Sequence, residues 1–584
     1  MSEKTYIKGK DSDLESTIAT MRAKLNAIGI ELKEGAMLNP LPHLFSSHIH
    51  DSTYRMMFTN GKGASQKASE ASALGEYFER LSCNYFFADY YLGEAFAEDE
   101  FVHYPNEKWF DIEDDDMPEE LLDEALWEYF DPEEDLSPSD LFDLNSGEGE
   151  RGLCALPFVR ERDDEVIYFP VNIIGNIFVS NGMAAGNTKS EARVQALSEI
   201  FERYVKNKVI SQGLSLPLIP KEVIAKYPQT QEAISALESH GYHLHICDAS
   251  LGGKYPVISV TLINPEDGSV LPSFGAHPSF EVALERTVTE LLQGRTLEML
   301  NDFFPPTFNL EEVADPQNLE AHFINATGLL SYDFFKEERD YEFVYWDFDG
   351  DTDAEYAELA ELIHDEGFDI YCADYDHLGI DTCRILVPGM SDIYPVEDLV
   401  WRNNNEGACY RERFLTLDTL DEDDYEELIE ELEDDNINDM LNVAEFIGVV
   451  ADEDSHWSKL TMGELKAMLY LAVGDIENAQ EWNRWSLEME NVDGERLRYH
   501  RCLDALMEII LKEKEFKLYI KPITLMYGET LMKTCVAVIN QERTFYGLEF
   551  PGLSLEGFKS HQKLLDVYAK VHKAKRDRYK QIDS

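Results

Sequence analysis

Gly63-Ala-Ser-Gln-Lys-Ala-Ser-Glu-Ala-Ser-Ala-Leu-Gly-Glu76-Tyr-Phe-Glu79-Arg80 is answered further along the chain by Gly186-Asn-Thr-Lys-Ser-Glu191-Ala-Arg-Val-Gln195-Ala-Leu-Ser-Glu199-Ile-Phe-Glu202-Arg203. Both stretches end in Ala-Leu-x-Glu-x-Phe-Glu-Arg. On a helix, Glu191, Gln195, Glu199 and Glu202 fall within an arc of roughly 80°. Val194, Leu197, Ile200, Phe201 and Tyr204 take the other side. In the first copy Glu76, Glu79 and Arg80 share a face, with Leu74, Tyr77, Phe78 and Leu81 opposite. One such helix reads as a solvated acidic stripe; two with the same ending read as walls of one cleft. Crowded carboxylates repel and raise their own pKa values. Hard divalent cations remove that cost, and Mg2+ takes oxygen ligands shared with phosphate groups. Arginine forks match phosphate oxygens. The repeat therefore predicts a Mg2+–nucleotide site.

Neighbouring segments fit that reading. Phe274-Gly-Ala-His-Pro-Ser-Phe-Glu-Val-Ala-Leu-Glu-Arg286 runs into a helix that puts Arg286, Glu290 and Gln293 on one face. Gly182-Met-Ala-Ala-Gly186-Asn187-Thr188 predicts a small-residue turn before a helix N-terminus, a place that can hold phosphate. His277, beside Pro278, reads as a turn or core histidine rather than a base. No GxxxxGK[ST], GxGxxG or kinase signature is present, so the common nucleotide folds are excluded.

The totals agree with a large, water-facing protein. The 584 residues suffice for two domains, and 44% hydrophobic content suffices for a large core. A net charge of −65 argues against DNA as a direct ligand. No run of about 18 apolar residues predicts a membrane helix. The start of the chain lacks the apolar core of a signal peptide. Eight scattered cysteines form no CxxC pair, which favours reduced thiols in a cytoplasmic protein.

Residues 1–415 read as mixed α/β, with strand-like runs at Val166–Gly175, Val257–Ile263 and Arg384–Pro388. Within them, 88–150 is acidic and aromatic-rich and is expected to be a surface excursion. From residue 421 the pattern turns helical. Tyr425, Leu428, Ile429 and Leu432 recur at helical spacing, and the Gly474-Asp475 turn between two helices suggests a tetratricopeptide-like hairpin. The last helix, Lys559 to Lys580, is basic, as suits a solvated face or an internal ion-pairing partner.

Ser72-x-x-x-Glu76-x-x-Glu79-Arg80, Gln195-x-x-x-Glu199-x-x-Glu202-Arg203 and Arg286-x-x-x-Glu290 closely resemble the YcaO family. So do Ser180-Asn-Gly-Met-Ala-Ala-Gly-Asn-Thr and Pro388-Gly-Met-Ser-Asp-Ile-Tyr-Pro395. The resemblance spans the chain. It implies an α/β domain of pseudo-symmetric halves over 1–415, and an all-α, tetratricopeptide-like domain over 421–584. It implies Mg2+ ligands at Glu76, Glu79, Glu191, Glu199, Glu202 and Glu290. It implies ATP contacts at Lys10, Thr17, Ser72, Arg80, Ala184, Asn187, Gln195, Arg203 and Arg286. The family's chemistry is ATP-dependent activation of a peptide amide, through azolines, thioamides or amidines. Azoline-forming members end in a proline-rich tail, whereas this chain ends Arg576-Asp-Arg-Tyr-Lys-Gln-Ile-Asp-Ser584. The helical tail resembles instead the subgroup linked to β-methylthiolation of a small-subunit ribosomal protein, as accessory factor to a radical methylthiotransferase. The chain itself has no CxxxCxxC. Three readings follow: accessory factor, amide-modifying enzyme on another peptide, or partner-docking adaptor. A homodimer is expected in each.

Overall fold

A computed structural model describes residues 4–112, 117–118, 120–147, 151–301, 303–489, 492 and 494–582. Part of the acidic run predicted near 113–119 and the last two residues lie outside the described residues.

The fold grows from strand-to-helix units. Helix α1 (Leu14–Ala27) starts at Asp13, whose side chain accepts the Ser16 N–H at 2.9 Å. Strands β1 (Leu32–Leu41), β2 (Leu44–Asp51) and β3 (Phe58–Gly63) form an antiparallel sheet, and the chain passes straight into α2 (Gln66–Ser82). Ser65 caps α2 by accepting the Ala68 N–H at 3.2 Å. Glycine is needed in β3: a Cβ on Gly61 would lie 2.0 Å from the Ser69 carbonyl oxygen, so strand and helix touch backbone to backbone.

Next come β4 (Lys108–Phe110), β5 (Leu153–Arg160), β6 (Val166–Pro170), β7 (Met183–Gly186) and α3 (Lys189–Ser211). The described residues between 88 and 147 are not a surface excursion. β4 pairs with β5, and Phe101, Phe110, Leu121, Phe130 and Leu141 are buried. The segment's acids mask apolar residues at irregular spacing, which local pattern cannot sort into faces. Nor does the run from Val166 stay extended. The strand stops at Pro170, and a helical segment follows whose Asn172 side chain donates to the Asp140 and Phe142 carbonyls at 2.9 and 2.7 Å.

The second three-stranded sheet, β8 (His243–Asp248), β9 (Val257–Ile263) and β10 (Val270–Ala276), runs into α4 (Phe280–Glu290). Helices α5 (Pro316–Ile324) and α6 (Thr352–Asp365) precede β11 (Tyr371–Tyr375) and β12 (Asp381–Leu386). These complete a sheet of order β4-β5-β11-β12-β7, with β6 on β5. The segment expected to be a turn at Gly182–Thr188 supplies β7, paired Ala184 to Cys383 and Ala185 to Thr382.

Beyond residue 407 the chain is helical. Helix α7 (Glu422–Asp434) buries the predicted Tyr425, Leu428, Ile429 and Leu432. Helices α8 (Met462–Ala472) and α9 (Ile476–Met489) flank Gly474, whose φ of +79° suits glycine. Helices α10 (Gly494–Leu511) and α11 (Glu529–Ile539) pack beside them in one apolar cluster. The last helix, α12 (Lys559–Ile582), leaves this group. Its Leu564, Val567, Tyr568 and Val571 share a core with Leu74, Tyr77, Phe78 and Leu81 of α2. The C-terminal helix thus buttresses the back of the first acidic helix.

Candidate functional site

The acidic faces of α2, α3 and α4 and the N-terminal segment surround one cleft of about 940 Å3. Fourteen of the fifteen expected residues border it: Lys10, Thr17, Ser72, Glu76, Glu79, Arg80, Asn187, Glu191, Gln195, Glu199, Glu202, Arg203, Arg286 and Glu290. Ala184 does not. It is fully buried in the core, and its half-buried neighbour Ala185 borders the cleft. Strand alternation is the reason: consecutive residues of β7 face opposite ways.

The two copies of the repeat build the same local pair. Arg80 bonds Glu76 one turn back, and Arg203 Nη2 donates to Glu199 Oε1 at 2.6 Å. Across the cleft Lys62 pairs with Glu290, and Arg286 Nη1 donates to Gln195 Oε1 at 2.5 Å. The N-terminal segment fastens onto α3. The Thr17 hydroxyl donates to Asn187 Oδ1 at 2.8 Å, and Asn187 Nδ2 donates to Glu191 Oε2 at 2.9 Å. Glu191 also accepts the Asp11 N–H at 2.9 Å and sits 3.4 Å from Lys10 Nζ. It is therefore the most protein-satisfied of the six glutamates.

Charge is strained at the centre. Burial, then the Glu199 carboxylate, raises the Glu76 carboxyl, with Arg80 opposing. Burial and the carboxylates of Glu199 and Glu76 hold Glu79 well above the usual range. On the cationic side, burial pushes Lys62 down to about 8. Burial also pushes Lys206 down to about 8. The buried Nε donors of Arg80 and Arg286 find no protein acceptor. Carboxyls too crowded to ionise freely, beside unpaired guanidinium edges, fit a divalent cation with an oxyanion. On these grounds the glutamates with Arg80 and Arg286 suit Mg2+ and a phosphate chain.

Sequence reading missed Lys62 and Lys206. Lys206 had a signal, since it follows Glu202 by one helical turn on the same face. Lys62 sits at a strand end, where no periodicity marks it. His277 is a turn histidine, as expected: its Nδ1 accepts the Ser279 N–H at 2.9 Å at the start of α4. Burial holds it well below its ordinary pKa. Away from the cleft, His103, Asp143 and Cys154 place ligand atoms within 4.8 Å of one another. Asp143 there is already taken by the N–H groups of Asn145 and Ser146 at 3.1 and 2.9 Å.

A family model described as a YcaO cyclodehydratase, ATP- and Mg2+-binding, matches residues 60–391. The chain belongs to the YcaO family. A second model, the YcaO cyclodehydratase C-terminal domain, matches residues 407–577. ATP and Mg2+ are thus the cofactors of its family. An Escherichia coli relative, the ribosomal protein S12 methylthiotransferase accessory factor YcaO, is 51% identical over 577 residues, 98% of each chain. A Haemophilus influenzae protein described as uncharacterized is 50% identical, over 99% of this chain and all of that one. The solved YcaO of Methanopyrus kandleri, bound with AMPPCP and Mg2+, is 18% identical. It covers 68% of this chain and 96% of that one, with a TM-score of 0.42. Among the described residues no helix is long and apolar enough to cross a membrane.

Proposed function

We propose that this chain binds ATP with Mg2+ in the cleft and acts as an accessory factor in β-methylthiolation of ribosomal protein S12, beside a radical methylthiotransferase. In this reading Glu76, Glu79, Glu199, Glu202, Glu290 and Glu191 hold Mg2+. Lys10, Thr17, Ser72, Arg80, Asn187, Gln195, Arg203 and Arg286 hold the nucleotide. Bound ATP supplies a phosphoryl group that turns an amide oxygen into a good leaving group. The protein's part is positional. Arg80 and Arg203 are each held by a glutamate one turn back, which pre-sets their forks. The Thr17–Asn187–Glu191 chain ties the N-terminal segment to α3 at the cleft, keeping Lys10 in place.

The observation that carries the reading is the convergence of both repeat copies on one cleft, with Glu76 and Glu79 pushed up and two guanidinium edges unpaired. The test is calorimetric titration with a non-hydrolysable ATP analogue, with and without Mg2+, on wild type, Glu76→Ala and Glu199→Ala. Binding should require Mg2+ and fail in both folded variants; Mg2+-independent binding that survives both would refute it. For the accessory role, the chain should raise S12 methylthiolation in a reconstituted assay with the methylthiotransferase, and Glu199→Ala should not. An adaptor would keep its effect in that variant. An amide-modifying enzyme would turn over ATP with a peptide other than S12.

We also propose that the acidic helices belong to pseudo-symmetric halves of residues 1–415, and that the helices of 421–584 other than α12 form a tetratricopeptide-like unit through which two copies pair in the cytoplasm. A monomer in light scattering at working concentration would contradict the pairing.

A further inference from the structure

Beyond the residues assigned to the nucleotide, one end of the cleft gathers cations. Its wall there is His322, Phe323, Ile324 and Asn325, at the C-terminal end of α5. Lys206 Nζ donates to the His322 carbonyl at 2.6 Å, and Arg295 Nη2 donates to the Asn325 carbonyl at 2.6 Å. Arg203 lies over the Phe323 ring, 4.5 Å from its centre. Lys206 feels both arginines: after burial, Arg203 and Arg295 push its ammonium down, while Glu202 opposes them. Burial alone lowers Arg295, with no carboxylate raising it. Anchoring the helix end uses one donor of each side chain. An ammonium has three and a guanidinium five, so most donors remain for a ligand.

The wall also offers an acceptor. His322 is 1% exposed and hydrogen-bonds the Leu329 carbonyl through Nε2 at 3.0 Å. That bond puts the proton on Nε2 and leaves Nδ1 as a lone pair. Nδ1 is buried without a partner. Gly328 packs against the opposite edge of the ring, where a Cβ would come 2.5 Å from Nε2. A carboxylate brings acceptors only and would meet the Nδ1 lone pair unfavourably. Monohydrogen phosphate brings P–O− groups for the cations and a P–OH for Nδ1.

We propose that Lys206, Arg295 and His322 form a phosphate subsite, separate from the triphosphate contacts, that holds inorganic phosphate beside Arg203. As a seat for the phosphate released by ATP cleavage, the subsite rests on the nucleotide reading; as a phosphate site, it stands alone. Lys206 and Arg295 supply the charge, and His322 selects the protonated oxyanion.

The test is calorimetric titration of the full chain with inorganic phosphate alone, and separately with the non-hydrolysable ATP analogue and Mg2+. Wild type, Lys206→Met, Lys206→Arg, Arg295→Met and Arg295→Lys are compared, each checked for fold by circular dichroism. Phosphate affinity should fall about tenfold or more in the two methionine variants and survive in Lys206→Arg and Arg295→Lys, with analogue affinity within about threefold of wild type. If a methionine variant does not fold, the charge-keeping variants decide, since they should hold phosphate where acetate does not bind. No phosphate binding by wild type would overturn the subsite. So would methionine variants that lose stability but bind phosphate normally, because the cations would then only anchor α5. Equal losses for phosphate and analogue would assign both cations to the triphosphate and also overturn it. Wild type that binds phosphate but not the analogue would sink the nucleotide reading while the subsite stands.

Discussion

Lys575 ties the last helix to the α/β core, and its burial makes a measurable demand on stability. The side chain is 2% exposed, donates to Asn84 Oδ1 at 2.5 Å and to the His103 carbonyl at 2.9 Å, and lies 4.2 Å from the Tyr104 ring centre. Burial pushes its ammonium from 10.5 down to about 7, with Glu107 opposing. Between these values the unfolded chain holds a proton that the folded chain lacks, so stability rises with pH. The relief is fully present above the unfolded value and is lost as pH falls through the folded one. The whole span corresponds to ~5 kcal/mol at about 1.4 kcal/mol per pH unit. Lys575→Met removes this proton. Urea denaturation of both proteins at about pH 7.5 and about pH 9.5 should show wild type gaining roughly 2–3 kcal/mol more than the variant. Titrating groups remote from Lys575 cancel in that difference; Cys83, His377 and His572, which feel its charge, are the exceptions. Absolute stability discriminates less well, because methionine leaves two acceptors unmet at about 1–3 kcal/mol each. Equal pH slopes would refute the reasoning, since they would mean that Lys575 is hydrated in the folded state.

Three further outcomes are expected. Glu76→Gln should raise the urea midpoint of the nucleotide-free protein at neutral pH, because a carboxyl with a raised pKa stabilises the fold at low pH and loses that contribution as pH rises; analogue affinity should fall by about tenfold or more, or about 1.4 kcal/mol. Tyr568→Ala empties the space between Phe87 and Phe96, whose ring centres lie 4.8 and 5.0 Å away, and should cost about 3–5 kcal/mol; weaker analogue binding in the folded variant would show that α12 steadies α2. Arg411→Met withdraws donors from the Ile447, Leu144 and Ser146 carbonyls, at 2.9, 2.6 and 2.9 Å, and should lower stability by about 2–4 kcal/mol in denaturation, with analogue binding unchanged.

Helix phase and the recurrence of a motif are properties of the chain itself. They sufficed to place Glu76, Glu79, Glu199 and Glu202 on acidic faces and to set the apolar stripes against the core; Lys10, Thr17, Ser72 and others of the fourteen expected residues on the cleft came from the family resemblance. Helix phase also located α7, because a helix that buries every third or fourth residue writes its period into the sequence. Long-range packing leaves no such mark. The buried segment between 88 and 150 hides its contacts behind acids. Ala184 and Ala185 are the same residue type, and only pairing with β12 decides which one faces the cleft. Lys62, Arg295 and His322 enter the site from a strand end, a connecting segment and the last turn of the short helix α5, where no long period marks them. The last helix reads as amphipathic and basic in any context; that it docks behind α2 depends on apolar surfaces hundreds of residues apart finding each other, which only the folded chain can decide.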